Sequence, residues 1–198
     1  DLAQRIVAAV AEVAARYNKP VSVKIRSGWD QESINAPEFA GLMEKAGAKL
    51  ITVHARTRNQ MYSGQADWNI IRQVAEQVSV PVYGNGDLTD IDSIIMMYRE
   101  TKCSGFAIGR AAQGNPWIFA EILNPDFELT TQEWLAVIDR HVSGMIEKLG
   151  DETQAICKMR AQLSAYLKGK RHAGKARNAV MQCTTKSRLF GILHQITN

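Results

Sequence analysis

The sequence predicts an α/β protein built on a parallel sheet, followed by an all-helical segment. Three observations predict it. Four short, apolar, β-branched runs start at residues 21, 50, 81 and 104, spaced 29, 31 and 23 residues apart, each about one βα unit. Stretches of helical period fill the gaps between them. Beyond Pro125 the apolar spacing is helical throughout and no strand-like run recurs.

The elements follow in order. Leu2, Ile6, Val10 and Val13 recur at helical spacing, and Asn18, Lys19 and Pro20 end that helix. VSVKI then reads as a strand ending at Arg26, and a polar loop leads to a helix over 36–46, with Gly47 where a C-cap glycine belongs. LITVH, 50–54, is the second strand. A twelve-residue loop, ARTRNQMYSGQA, leads to a helix over 67–77 that Asp67 can cap. VPVYG, 80–84, is the third strand and is followed by a helix over 91–100. SGFAIG, 104–109, is the fourth. Helices are then expected over 131–149, 152–168, 173–183 and 185–195, with Val137, Met145 and Leu149 as one buried stripe and Met159, Leu163 and Leu167 as the next. This gives an α/β domain over 1–123 and a helical domain over 124–198.

Composition narrows the function. With 198 residues, 45% hydrophobic and 22% charged, the chain can bury a core, and no apolar run approaches the ~20 residues of a membrane span. It opens at Asp1 without a signal-like segment, and its three cysteines, Cys103, Cys157 and Cys183, have neither disulfide-scaffold nor zinc-site spacing. A cytoplasmic location and no metal are therefore expected. The net charge is +4, unevenly spread. Residues 151–198 carry nine cationic and two acidic side chains, a net +7, against fifteen and eighteen, a net −3, in the first 150. Such asymmetry fits a polyanionic partner for the C-terminal quarter and equally a solvated basic face.

Ligands of parallel α/β folds bind at the C-terminal ends of the strands. Here those ends read Lys24-Ile25-Arg26, His54-Ala55-Arg56, Gly84-Asn85-Gly86-Asp87 and Ile108-Gly109-Arg110. Lys24 alternates with Val23 and Ile25 and so points into the crevice, where a buried lysine calls for an anionic or carbonyl partner. His54 alone reads as a core histidine, and the glycines as turn residues. Together, Gly86, Gly109 and Arg110 form a phosphate-binding combination, since glycine lets backbone N–H groups approach and arginine supplies charge. No nucleophile stands out, and Asp90 and Asp92 fit a helix start.

The strings VKIRSGWD, ITVHARTRNQMYSGQADW, VPVYGNGDL and GFAIGRAAQGNPWIF together resemble the tRNA-dihydrouridine synthases, most of all the bacterial B-type branch, over nearly the whole chain. The resemblance implies an FMN-carrying (β/α)8 TIM barrel followed by a small helical tRNA-binding domain. It implies reduction of a uridine in the tRNA D-loop region to 5,6-dihydrouridine, with NADPH as reductant and a cysteine as general acid. It implies that Lys24 contacts the flavin ring, that His54 lies beside it, that Asn85, Gly86 and Asp87 form one cofactor loop, and that Gly109 and Arg110 hold the phosphate. Lys168, Lys170, Arg171, Lys175 and Arg177, which bracket a glycine-containing turn, are the expected RNA-binding cations.

The family's Asn-x-x-Gly-Cys-Pro loop has no counterpart in this sequence, and four strands stand where the barrel has eight. The expectation is therefore a C-terminal half of the barrel, 1–123, with no catalytic residue of its own, inactive in isolation and prone to self-association through open sheet edges. Two other readings compete. An FMN-dependent barrel reductase of the dihydroorotate dehydrogenase or old-yellow-enzyme type has the strand-end glycines but no need of the basic tail. An RNA-binding module without redox activity explains the tail but neither Lys24 nor the glycine loops.

Overall fold

A computed structural model describes residues 2–197. The alternation read from the sequence is present as α1 (Leu2–Arg16), β1 (Ser22–Arg26), α2 (Ala36–Lys45), β2 (Leu50–His54), α3 (Trp68–Gln77), β3 (Val82–Asn85), α4 (Ile91–Thr101) and β4 (Gly105–Ala107). Then follow α5 (Ile118–Leu123), α6 (Thr131–Leu149), α7 (Glu152–Tyr166), α8 (Ala173–Met181) and α9 (Lys186–Thr197). The strands form one parallel sheet in chain order, β1-β2-β3-β4. The chain divides into two compact units at Gly109–Arg110. The sequence reading put the change at 123–124. Residues 110–123 fall in the second unit, where Trp117 packs on the helical core.

Register sorts the strand residues into two faces. Ile25 pairs with Val53, and Val53 with Gly84. All three are buried. A Cβ on Gly84 would meet Met97 Sδ and also lie near Ile71, so this is the face that the helices cover. The opposite face carries a row of Lys24, Thr52, Tyr83 and Gly105, and beyond it a row of Arg26, His54, Asn85 and Ala107. Gly105 makes room there for the Tyr83 ring, which lies 2.5 Å from where its Cβ would be.

Local signals explain the helix ends. Asp67 caps α3 by accepting the Asn69 N–H, and Asp90 caps α4 by accepting the Ser93 N–H at 2.8 Å. Gly47, just past α2, has φ +106 and provides the left-handed residue that ends a helix. The periodicity of α1 is helical as expected, but its apolar stripe is not covered. Leu2, Ile6, Val10 and Val13 are each half or more exposed.

In the second unit α6 packs on α7, α7 on α8, α8 on α9 and α9 back on α6. Met159, Leu163 and Leu167 form the expected stripe and are nearly fully buried. On α6 the buried residues are Trp134, Ile138 and Val142, whereas the expected Val137, Met145 and Leu149 are only partly covered. Met145 and Leu149 follow Ile138 and Val142 by seven residues and so share their face, and Met145 packs against the same core, which is deepest around Trp134, Ile138 and Val142. Gly114 has φ +75 and lies against the Ala165 backbone, 2.2 Å from where its Cβ would be, so only glycine fits.

Candidate functional site

The parallel register brings Arg26, His54 and Asn85 side by side across three strands, one row above Lys24. His54 is 7% exposed, and its ring centroid is 6.3 Å from that of Tyr62. The Arg26 guanidinium sits 5.9 Å from the Tyr62 ring centroid and donates through Nη1 to Thr57 O and Met61 O, at 2.8 and 3.1 Å. Asn85 Nδ2 donates to Ala107 O at 2.5 Å, which leaves its side-chain oxygen as an acceptor at the strand end.

Lys24 corrects the expectation of a buried lysine. It is exposed, because no layer among the described residues of its unit covers that face of the sheet. Its ammonium is nonetheless held below the ordinary lysine value, first by partial desolvation and then by the Arg26 charge. A groove of about 330 Å³ runs along this end of β1, lined by Lys24, Arg26, Trp29, Asn35 and Phe39.

The cofactor-loop residues have structural partners that the sequence did not reveal. Asp87 binds the Arg56 guanidinium at 2.7 Å and accepts the Ala66 N–H at 2.8 Å. Arg56, 2% exposed, also donates to Ser63 O and Gly64 O. Gly86 has φ +128, and Ala66 Cβ lies 2.7 Å from its would-be Cβ, so this glycine admits the 57–66 loop as well as freeing backbone donors. Trp68 Nε1 donates to Gly86 O. Gly109 has no atom within 4 Å of its would-be Cβ. Arg110 opens a 3-10 turn, Arg110–Ala112, and both Gly109 and Arg110 are exposed.

Sequence reasoning put Arg26 and Arg56 at the strand ends but gave neither a role, and it missed Tyr62. Arg56 and Asp87 are 31 residues apart, so no local pattern joins them. The recurrence of an arginine two residues after both Lys24 and His54 was the available signal.

The five expected RNA-binding cations separate into two kinds. Lys168, Arg171 and Lys175 are exposed. The Lys170 ammonium lies 4.9 Å from the Trp134 ring centroid, and Arg177 Nε donates to Ser164 O, so both support the helical unit itself. Among the described residues there is no group of His, Cys, Asp and Glu able to hold a metal, and no helix long and apolar enough to cross a membrane.

A family model described as dihydrouridine synthase matches residues 1–197. A probable tRNA-dihydrouridine synthase of Rickettsia conorii is 35% identical over 189 residues, covering 91% of this chain and 55% of the relative. A tRNA-dihydrouridine synthase B of Yersinia pestis is 39% identical over 153 residues, covering 76% of this chain and 47% of the relative. The chain thus spans about half the length of the curated relatives it matches. A nitroalkane oxidase structure from Streptomyces ansochromogenes is 17% identical, covering 54% of this chain and 31% of its own, with a TM-score of 0.40.

Proposed function

The chain belongs to the dihydrouridine synthase family and is similar to its B type, and from that premise we propose that it forms the C-terminal part of a tRNA-dihydrouridine synthase. The whole enzyme reduces a uridine in the D-loop region of tRNA to 5,6-dihydrouridine, using FMN and NADPH. The first unit, up to Gly109, supplies the strands of the second half of the (β/α)8 barrel, and the second unit, from Arg110, supplies the tRNA-binding helices. One observation carries this reading: a cationic and amide-bearing row, Arg26, His54 and Asn85 with Lys24 beneath, lies at the strand ends of a parallel sheet whose helices, among the described residues of its unit, cover the other face. The bare edge of β1 and the exposed stripe on α1 support the half-barrel, since both suit continuation of the sheet and helix layers.

The donor set fits an FMN. Lys24 and Arg26 present positive charge, and the Asp87 carboxylate of this loop is already engaged by Arg56. Such a surface suits an electron-rich ring and a phosphate. When bound, FMN supplies the hydride chemistry. Lys24 would hold the polar edge of the ring, and His54 would pack beside it. Asn85 and Gly86 would orient it, while Gly109 and Arg110, directly after β4 in the chain, would hold the phosphate. The general-acid cysteine belongs to the part of the enzyme outside this chain, so the isolated 198 residues should not reduce tRNA.

Two measurements test the reading. The full-length protein that contains this chain should purify yellow, with a flavin absorbance spectrum. Transfer RNA from a deletion strain should lose two daltons at one D-loop uridine. A colourless protein with undiminished tRNA binding would favour the RNA-binding module instead.

A further inference from the structure

We propose that Arg56 and Asp87 form a latch that positions the 57–66 loop, and with it Tyr62, at the strand-end site, so that Asp87 serves as an anchor and not as a direct ligand. The functional part of this inference rests on the uridine-reductase reading; the mechanical part does not.

The latch is read from three sets of contacts. Arg56 projects from the end of β2 and is 2% exposed. Its Nε donates to Ser63 O at 3.2 Å, and its Nη2 to Gly64 O at 2.6 Å and to the Asp87 carboxylate at 2.7 Å. Asp87, at the exit of β3, accepts the Ala66 N–H with the same carboxylate. One ion pair therefore ties the closing turn of the loop to two neighbouring strands. Ala66 reaches this position only because residue 86 is a glycine.

The backbone conformations agree. Asp87 has φ +58 and Met61 φ +51, left-handed values that non-glycine residues rarely adopt without being held. Arg56 Nη1 is buried without a hydrogen-bond partner among the described residues. The guanidinium is thus placed for the loop carbonyls and for Asp87 at the expense of saturating its own donors.

The loop matters for what it delivers. Residues 61–65 are exposed, so ordering them needs an anchor. Arg26 holds the first half of the loop, through Thr57 O and Met61 O, and the Arg56–Asp87 pair holds the second. Between these anchors Tyr62 is set against His54 and Arg26. Arg26, half-buried, lies within the proposed site, whereas Arg56 is sealed behind it. Arg56 and Asp87 are therefore positioning residues.

The experiment uses the full-length protein that contains this chain, with Asp87→Asn and, as a second variant, Arg56→Lys, which keeps the charge but not the forked donors. Amide exchange over 57–66 and tryptic cleavage after the exposed Arg58 should rise about tenfold, while amides of β2, α2 and α3 keep their protection. In tRNA uridine reduction, adding Asp87→Asn to Tyr62→Ala should change turnover less than about twofold, although Asp87→Asn alone lowers it about tenfold. Unchanged loop exchange, or faster exchange throughout residues 2–109, would overturn the latch. Additive losses in the Tyr62 cycle would overturn its action through Tyr62. If no uridine reduction is found in any variant, the functional reading fails, and the exchange and cleavage results still decide the latch.

Discussion

At the scale of single residues the sheet separates roles that look alike in sequence. Lys24 and Arg56 both follow apolar strand residues, yet one is exposed on the open face and the other is sealed into an ion pair. The depressed Lys24 ammonium has a consequence for stability. The unfolded chain holds that proton more tightly than the folded one, so the charged lysine opposes folding at neutral pH, and the penalty fades as pH rises towards 10.5. Lys24→Met should therefore leave the melting temperature unchanged or raise it at pH 7, with no gain above pH 10.5. The same variant should lower FMN affinity in the full-length protein, measured by flavin fluorescence. A lower melting temperature at pH 7 would show the lysine to be a structural residue. Arg110 is tested by a different contrast. Arg110→Ala should weaken FMN about tenfold and riboflavin less than about twofold, because only FMN bears the phosphate that a guanidinium can grip. Equal losses would assign Arg110 to the fold.

At the scale of elements the sequence was most legible where one physical signal acted alone. The run LITVH is β2 residue for residue, since the β-branched Ile51, Thr52 and Val53 at its centre suit a strand. The helix starts at Asp67 and Asp90 follow from capping chemistry. Legibility failed where a partner had to choose. On α6 the period marks Met145 and Leu149 on the same face as Trp134, Ile138 and Val142, and only packing makes the last three the deeply buried ones. The strand ends divide in the same way: alternation puts Lys24 on the face away from Ile25, and His54 and Asn85 end their strands as read, but the Arg56–Asp87 pair depends on β2 and β3 lying side by side. Glycines of the helical unit give an element-scale test. Gly114 and Gly150 share a left-handed φ, +75 and +68, but only Gly114 faces backbone within 2.2 Å of a would-be Cβ. Gly150→Ala should cost about 1 kcal/mol, the conformational penalty alone. Gly114→Ala should cost about 3 kcal/mol, because Ala165 must move as well. Urea midpoints would measure both, and equal costs would mean that the Ala165 backbone yields without resistance.

At the scale of the whole molecule, charge asymmetry becomes a statement about which cations remain available to a polyanion. From Lys158 to Arg188 the sequence has nine cations and no acid, and from that count alone all five around the glycine turn looked equivalent. They are not. Lys170 rests on Trp134 and Arg177 ties α8 to Ser164, so removing either disturbs packing as well as charge. Lys168, Arg171 and Lys175 are exposed and carry no such duty in the helical core, which makes them the cleaner probes of RNA binding. Each phosphate they neutralise releases condensed counterions, so affinity falls with salt in proportion to the number of phosphates engaged. Changing Lys168, Arg171 and Lys175 together to glutamine should weaken tRNA binding and lower the log–log salt slope by about 0.9 for every duplex phosphate that is no longer neutralised. The melting temperature and FMN content should stay at their starting values. Lys170→Gln should instead lower the melting temperature while changing the salt slope by no more than about one unit. A triple variant with unaltered affinity from about 50 to about 200 mM salt, the range over which such phosphate pairs weaken by orders of magnitude, would leave the tail as a solvated basic face.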